Sequence, residues 1–243
     1  MTRLSARDRL IVALDTPTVN EARALVQRLG TGVTFYKIGL ELAMSGGLEL
    51  ARELVRGGSR VFLDMKLLDI ENTVERAARN AAATGATFLT VHAHDAKTLR
   101  AAVAGKAGTT LGILGVTVLT NLDARDLAQQ GIAGSPEDVV ARRAKLARDV
   151  GCDGVVASGQ EAQRVRAVVG PDMVVVTPGI RLPENDAGDQ ARVTTPQQAI
   201  AAGADYLVVG RPITAAEHPD RAAELFVRSI EEALALRPLG PQG

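Results

Sequence analysis

The chain alternates short β-rich runs with segments of helical spacing, and it does so eight times. The β-rich runs are 10–14, 33–38, 61–65, 87–91, 110–118, 154–157, 173–177 and 206–209. The segments between them, such as 20–29, 48–55, 73–83 and 138–150, place Ala and Leu at helical spacing. Eight successive strand–helix units favour an α/β fold with a closed (β/α)8 TIM barrel. Periodicity alone leaves an open doubly wound sheet as the alternative.

The length and the apolar composition agree with a barrel. The chain has 243 residues, close to the roughly 250 of a typical barrel, so we expect one catalytic domain over 1–243. With four Phe, two Tyr and no Trp, the core must be filled mostly by aliphatic side chains and Ala. Residues 237–243 have the composition of turns and predict a loose tail.

Two helix starts are predicted from local motifs. Asn72, followed three residues later by Glu75, resembles a capping box at the start of the third helix. Ser135 followed by Pro136 offers a cap and a first-turn proline for a later helix.

The charge balance limits the classes of partner. Lys plus Arg and Asp plus Glu number 28 each, so no general electrostatic attraction to nucleic acid or to an anionic membrane is expected. No run of about 18 apolar residues and no signal-peptide pattern is present, which predicts a cytoplasmic protein. The single cysteine, Cys152, is expected to be a small buried hydrophobe.

Polar or Gly-rich residues end most of the predicted strands. In a barrel the active site lies at the carboxyl ends of the strands, so these residues are the candidates for function. They are Asp15, Lys37, Asp64 and Lys66, Thr117 and Thr120, Ser158, the run from Pro178 to Arg181, and Gly210 with Arg211.

Charges interrupt the apolar run 61–70. If 61–66 is a strand, Phe62, Asp64 and Lys66 share one face, so that a carboxylate and an ammonium group lie side by side, with Asp69 just beyond. From this stretch alone, a structural ion pair and a functional site are equally consistent.

The last two strand ends predict a phosphate site. Loops after strands seven and eight of a barrel commonly bind phosphate, and Arg181 and Arg211 lie in those loops. Gly179 and Gly210 let the backbone approach a ligand. The segment 182–193 has no apolar periodicity and is interpreted as a lid, with Gln190 as a neutral phosphate donor. A second long connection, 121–134, is expected at the opposite side of the mouth.

His92 and His94 end the fourth strand on one face. Together with Asp95 they could form a metal site. The alternative, which we favour, is that His92 packs or hydrogen-bonds at the strand end, because Lys37 and Lys66 would repel a cation in the same mouth. No metal and no cofactor are therefore expected.

Several motifs in order resemble the orotidine monophosphate decarboxylase family. They are Asp15, Lys37, the run from Asp64 to Ile70, Asn72-Thr73-Val74, the run from Thr117 to Thr120, and the run from Thr177 to Arg181. The resemblance spans residues 10–212. Related hexulose phosphate synthases and keto-gulonate phosphate decarboxylases have a run similar to 64–70, whereas Lys37 and the Pro-Gly-Ile-Arg turn favour the orotidine enzymes.

The resemblance implies cofactor-independent decarboxylation of orotidine 5'-monophosphate by a homodimer with shared active sites. It implies a charge array of four residues: Lys37, Asp64, Lys66 and Asp69, the last reaching the partner subunit's site. It also implies substrate contacts for Asp15, Lys37, Thr73 (across the interface), Ser158, Pro178, Arg181, Gln190, Gly210 and Arg211. Thr120, a polar residue at a strand end, is added as a further candidate contact.

The sequence departs from the family pattern outside the charge array. Glu71 stands where Pro or Gly is usual, His94-Asp95 replaces a small turn, and the segment 157–161 lacks the cysteine often seen before the serine. These departures affect the expected details of the dimer interface more than the expected reaction.

In the chemistry that the resemblance implies, loss of CO2 leaves a vinyl carbanion with no adjacent group to absorb the charge. Lys66 would stabilise and protonate this carbanion, and Asp64 would keep Lys66 charged and oriented. Two alternatives remain: a metal-dependent sugar-phosphate aldolase or decarboxylase of the same barrel group, and a non-catalytic barrel that serves as an interaction module.

Overall fold

The computed structural model describes residues 4–183 and 194–236. The strands are β1 Leu10–Ala13, β2 Phe35–Ile38, β3 Arg60–Leu67, β4 Phe88–His92, β5 Gly112–Val116, β6 Gly154–Val156, β7 Val174–Thr177 and β8 Tyr206–Val209. Each strand pairs in parallel with the next, and β8 pairs with β1, which closes the barrel. The predicted TIM barrel and all eight predicted strands are confirmed, and the open sheet is excluded.

One short helix precedes β1, and the other helices follow the strands around the outside of the barrel. They are α1 Ala6–Arg9, α2 Val19–Leu29, α3 Leu40–Leu42, α4 Leu48–Arg56, α5 Glu71–Ala82, α6 Ala96–Gly105, α7 Ala124–Gln129, α8 Pro136–Asp149, α9 Ala162–Val169, α10 Pro196–Ala201, α11 Arg211–Thr214 and α12 Pro219–Leu236. Val, Leu, Ile and Ala fill most of the layer between strands and helices, as the composition predicted. None of the described helices is long and apolar enough to cross a membrane.

The interior of the barrel is built in layers along the strands. Phe35, Phe62, Phe88 and Tyr206 point inward and pack together, with ring centroids 5.4 to 6.1 Å apart. Because side chains in a strand alternate with a period of two, the next inward positions toward the carboxyl ends are 37, 64, 90 and 208. The aromatic layer therefore forms a floor, and the polar residues of the site stand directly above it.

The local motifs gave mixed results. Ser135 caps α8, accepting the Asp138 N–H at 3.2 Å, with Pro136 in the first turn, as predicted. The predicted capping box at Asn72 is wrong: α5 begins at Glu71 after Ile70, without a side-chain cap, so Asn72 lies inside the first turn. The connection 121–134 contains the short helix α7. Most of the predicted lid, including Gln190, and the predicted tail at 237–243 lie outside the described residues.

Candidate active site

A cavity of about 510 Å³ opens at the carboxyl ends of the strands. Ten of the residues predicted from the sequence line it, namely Asp15, Lys37, Asp64, Lys66, Thr120, Pro178, Gly179, Arg181, Gly210 and Arg211. These residues lie on or just after β1, β2, β3, β5, β7 and β8, which are far apart in sequence. The closed barrel brings them together.

Three residues of the predicted charge array, Lys37, Asp64 and Lys66, are connected by ion pairs on the β1–β3 side of the cavity, and Asp15 joins them. The Lys37 Nζ lies 2.9 Å from Asp15 Oδ1 and 3.5 Å from Asp64 Oδ2. The Lys66 Nζ lies 2.8 Å from the same Asp64 Oδ2. Asp64 thus stands between two ammonium groups, and the predicted pairing of Asp64 with Lys66 is present.

The surroundings of Lys37 and Asp64 favour the charged form of each. Burial by itself would lower the pKa of Lys37, which is only 8% exposed, but Asp64 and Asp15 outweigh this effect and leave the pKa raised. Burial would raise the pKa of Asp64, but Lys37, Lys66 and hydrogen bonds leave it lowered. Both groups are therefore charged at neutral pH. Gly39 leaves room for them, because a Cβ there would lie 2.9 Å from Asp15 Oδ1 and 3.0 Å from Lys37 Nζ.

The backbone at Lys66 departs from a regular strand. Lys66 has φ +48°, the only positive φ of a non-glycine residue among those described, and the β3–β4 register shifts between Leu63 and Leu67. The simple alternation predicted for Phe62, Asp64 and Lys66 is therefore interrupted. Lys66 nevertheless lines the cavity, since the irregular backbone directs its side chain onto Asp64.

The β7 and β8 loops contribute a second group of residues to the cavity. Pro178, Gly179 and Arg181 come from the loop after β7, and Gly210 and Arg211 follow β8. Arg181 is buried, 6% exposed, and donates one hydrogen bond to the Ile180 carbonyl at 3.0 Å. Both arginines therefore line the same cavity as Asp64 and Lys66, and they come from the loops after β7 and β8, where barrels commonly bind phosphate.

Four of the described candidates do not line the cavity of the single chain: Thr117, Ser158, Asp69 and Thr73. Thr117 is fully buried, and its hydroxyl donates to the Val156 carbonyl at 2.9 Å. Asp69 and Thr73 are exposed, Asp69 in the loop after β3 and Thr73 in the first turn of α5. Ser158 is fully buried, and its hydroxyl donates to Glu161. The cavity wall next to Ser158 is formed by Ala157.

Sequence reasoning missed Glu41 and Thr214, which line the cavity, and Thr90, which lies beneath it. Thr90 is fully buried and donates to Asp64 Oδ1 at 2.9 Å. Threonine is common in β-strands, so nothing in the local sequence marks Thr90 as part of a site. Its only signal is the alternation that places it on the same face as Phe88.

His92 and His94 lie beside each other, with ring centroids 4.7 Å apart. Over residues 4–183 and 194–236, no group of three or more His, Cys, Asp or Glu side chains could hold a metal ion. Burial lowers the pKa of His92 to about 4, and the neighbouring His94, Lys66 and Arg143 act in the same direction. His92 is therefore a neutral packing group at neutral pH.

The low pKa of His92 makes stability depend on pH. Its pKa falls from 6.5 in the unfolded chain to about 4 in the folded protein, so the unfolded chain binds more protons between these values. The free energy of unfolding should fall as pH drops below 6.5, and His92 should contribute about 1 kcal/mol by pH 5, half of the full effect over roughly 1.5 pH units, because solvent screens the partly buried ring. Chemical denaturation at several pH values should show a shallower fall for His92→Gln than for His218→Gln, which removes an exposed imidazole. Equal slopes would contradict this assignment.

Comparisons with known proteins agree on one family. The family model described as "Orotidine 5'-phosphate decarboxylase / HUMPS family" matches residues 8–226. A protein named orotidine 5'-phosphate decarboxylase from a Bradyrhizobium species is 55% identical over 97% of this chain and 96% of its own length. One with the same name from Methylorubrum extorquens is 55% identical over 93% and 97%.

Solved structures agree with the sequence comparisons. The crystal structure of orotidine 5'-phosphate decarboxylase from Lactobacillus acidophilus superposes with a TM-score of 0.81 at 34% identity, covering 91% of this chain and 98% of that one. An uncharacterized conserved protein from Geobacillus kaustophilus superposes with a TM-score of 0.78 at 33% identity, covering 91% and 99%.

Proposed function

The chain belongs to the orotidine 5'-phosphate decarboxylase / HUMPS family, and on this premise we propose that it converts orotidine 5'-monophosphate to uridine 5'-monophosphate and CO2. The enzyme is a carboxy-lyase that needs no cofactor. The observation that carries the proposal is that Lys66 and Lys37 share Asp64 in a cavity that two arginines also line. We infer that it works in the cytoplasm, in pyrimidine nucleotide synthesis, because its substrate and product are soluble nucleotides.

Lys66 supplies both charge and proton to the reaction. The bond between C6 of the pyrimidine and its carboxylate breaks, CO2 leaves, and the electron pair stays on C6. The ammonium group of Lys66 stabilises this pair and then transfers a proton to C6. Asp64 holds Lys66 in place at 2.8 Å, so little reorganisation is needed when the carbanion forms.

The remaining cavity residues bind the nucleotide. Asp15 and Lys37 contact the ribose hydroxyls, Pro178 packs near the base, and Thr120 supplies a polar contact at the mouth. Arg181 and Arg211, with Gly210, bind the phosphate, joined by Gln190. The resemblance also implies that Ser158 contacts the pyrimidine, and because its hydroxyl is bonded to Glu161 behind Ala157, this contact requires the Ser158 side chain to turn toward the cavity.

The phosphate contact gives a testable result. Arg211→Ala should raise KM for orotidine 5'-monophosphate about 10- to 100-fold, because a hydrogen bond to a charged group contributes about 1.5–3 kcal/mol. The nucleoside orotidine, which lacks the phosphate, serves as control in steady-state assays. Its kcat/KM should be nearly the same for both proteins. An equal loss on both substrates would show that Arg211 does not act through the phosphate.

We propose that a homodimer completes the site. Five large apolar side chains are exposed around the β2 and β3 loops: Leu40, Met44, Leu48, Leu68 and Ile70. Because β2 and β3 are paired neighbours, these loops lie side by side, and Asp69 and Thr73 lie among them. Such a patch favours association with a second copy. Asp69 and Thr73 would then enter the partner's cavity, which explains why neither lines the cavity of its own chain.

One assay separates this function from its alternatives. Purified protein is given orotidine 5'-monophosphate or a sugar-phosphate aldolase substrate, each with and without a chelator. We expect CO2 release from the nucleotide at a rate that the chelator leaves unchanged. Turnover of the sugar phosphate alone, lost with chelator and restored by magnesium, would instead identify the metal-dependent aldolase. No turnover of either would identify a non-catalytic barrel. The names of the relatives do not favour these two alternatives.

A further inference from the structure

Thr90 occupies the layer between the aromatic floor and the charge array. It follows Phe88 by two residues on β4, so both side chains point into the barrel, and Thr90 is fully buried. It does not line the cavity. Its hydroxyl makes two hydrogen bonds, accepting the Lys66 N–H at 2.9 Å and donating to Asp64 Oδ1 at 2.9 Å.

The first of these hydrogen bonds supports a strained backbone. Lys66 has φ +48°, a conformation that is unfavourable for any residue with a Cβ. The shift in register between β3 and β4 occurs at this point, and the Lys66 N–H bonds to a side chain of β4. An N–H group that is partly withdrawn from water and has lost its strand partner needs another acceptor. The Thr90 oxygen supplies it and thereby stabilises the backbone conformation from which the Lys66 side chain starts.

The second hydrogen bond orients Asp64. Its Oδ1 accepts the Thr90 proton, while its Oδ2 faces Lys66 at 2.8 Å and Lys37 at 3.5 Å. The Thr90 hydroxyl therefore fixes which carboxylate oxygen meets the two ammonium groups. One side chain thus holds both ends of the Asp64–Lys66 pair, the backbone of one residue and the carboxylate of the other.

We propose that Thr90 is a positioning residue that sets the geometry of Lys66 and Asp64 for catalysis without touching the substrate. The proposal rests on the proposed decarboxylase function. Residues that fix the orientation of a catalytic group change the rate of the chemical step more than substrate binding, because displacement of a reacting group by about 1 Å can cost about 100-fold.

The test compares Thr90→Val with Thr90→Ser in steady-state assays on orotidine 5'-monophosphate. Val keeps the shape and removes the hydroxyl, so kcat should fall about 10- to 100-fold while KM changes less than about threefold. Ser keeps the hydroxyl, so its kcat should stay within about threefold of the wild type. If Thr90→Val does not fold, Thr90→Cys, of similar shape and weak in hydrogen bonding, should show the same fall in kcat.

Thr84→Val is the matched control. Thr84 is also buried, and its hydroxyl also accepts a backbone N–H, from Ala86 at 3.2 Å, and donates, to Ala81 O at 2.6 Å, but it precedes β4 at the other end of the barrel. This variant should be destabilised with unchanged kcat. A folded Thr90→Val with wild-type kcat, or a folded Thr90→Ser as slow as Thr90→Val, would overturn the proposal.

The activity of the wild type shows whether a negative result counts against the role of Thr90 or against the proposed function. An active wild type with an unaffected Thr90→Val overturns only the role of Thr90, whereas an inactive wild type overturns the function. In the second case a crystal structure of Thr90→Val still decides the positioning role. A changed Lys66 φ or a lost Lys66–Asp64 contact would support it, and an unchanged pair would overturn it.

Discussion

Lys66→Ala should lower kcat for orotidine 5'-monophosphate by at least about 10⁴-fold. The variant loses the proton donor, which contributes about 10²–10⁴-fold. It also loses the cation that stabilises the carbanion, which contributes about another 10²–10³-fold. The fold should survive, because Asp64 keeps Lys37 and Thr90 as partners. Single-turnover measurement of CO2 release checks the rate, and circular dichroism checks the fold.

Lys106→Ala is the control for the loss of an ion pair. Lys106 contacts Asp153 at 2.6 Å, and both residues lie at the end of the barrel opposite the cavity. This variant should lose stability and keep its kcat. Loss of a proton donor should by itself lower the rate at least about 100-fold. If Lys66→Ala retains more than about one hundredth of the wild-type rate, the ammonium group is therefore not the proton donor.

Mixed dimers should recover the activity that their parents lack. Lys66→Ala and Asp69→Ala homodimers should each be nearly inactive, because every site lacks one member of the array. After subunit exchange, a heterodimer has one site with both changes and one site with neither. With random exchange about a quarter of the wild-type activity should return. The measurement is CO2 release after mixing, with native mass spectrometry to count heterodimers.

The control mixture combines Lys66→Ala with a chain that has both changes. No site in it contains Lys66, so no activity should return. If heterodimers form from the two single variants and remain inactive, Asp69 does not act across the interface. An active Asp69→Ala homodimer would show that Asp69 is not part of the array.

The sequence was sufficient for the parts of the site that follow from strand order. Eight β-rich runs predicted the barrel, and residues at strand ends such as Asp15, Lys37 and Arg211 could be placed at one mouth because parallel strands all end on the same side. The period of two placed Asp64 above Phe62 correctly.

The parts that the sequence could not predict depend on tertiary contacts. The positive φ at Lys66 is stabilised by Thr90 from another strand, 24 positions away, and no local pattern signals it. The capping motif predicted at Asn72 also failed, because α5 begins one residue earlier, at Glu71. Ser158 was predicted from its place at the end of a strand and from the resemblance, but its hydroxyl bonds to Glu161 behind Ala157, outside the cavity lining.

A crystal structure with bound uridine 5'-monophosphate tests the account most directly. We predict the phosphate between Arg181 and Arg211, and C6 of the pyrimidine within about 3.5 Å of the Lys66 Nζ, the separation of groups poised to react. The partner subunit's Asp69 should lie in the same cavity. A nucleotide whose C6 faces away from Lys66, or whose phosphate lies away from both arginines, would contradict the proposed mechanism.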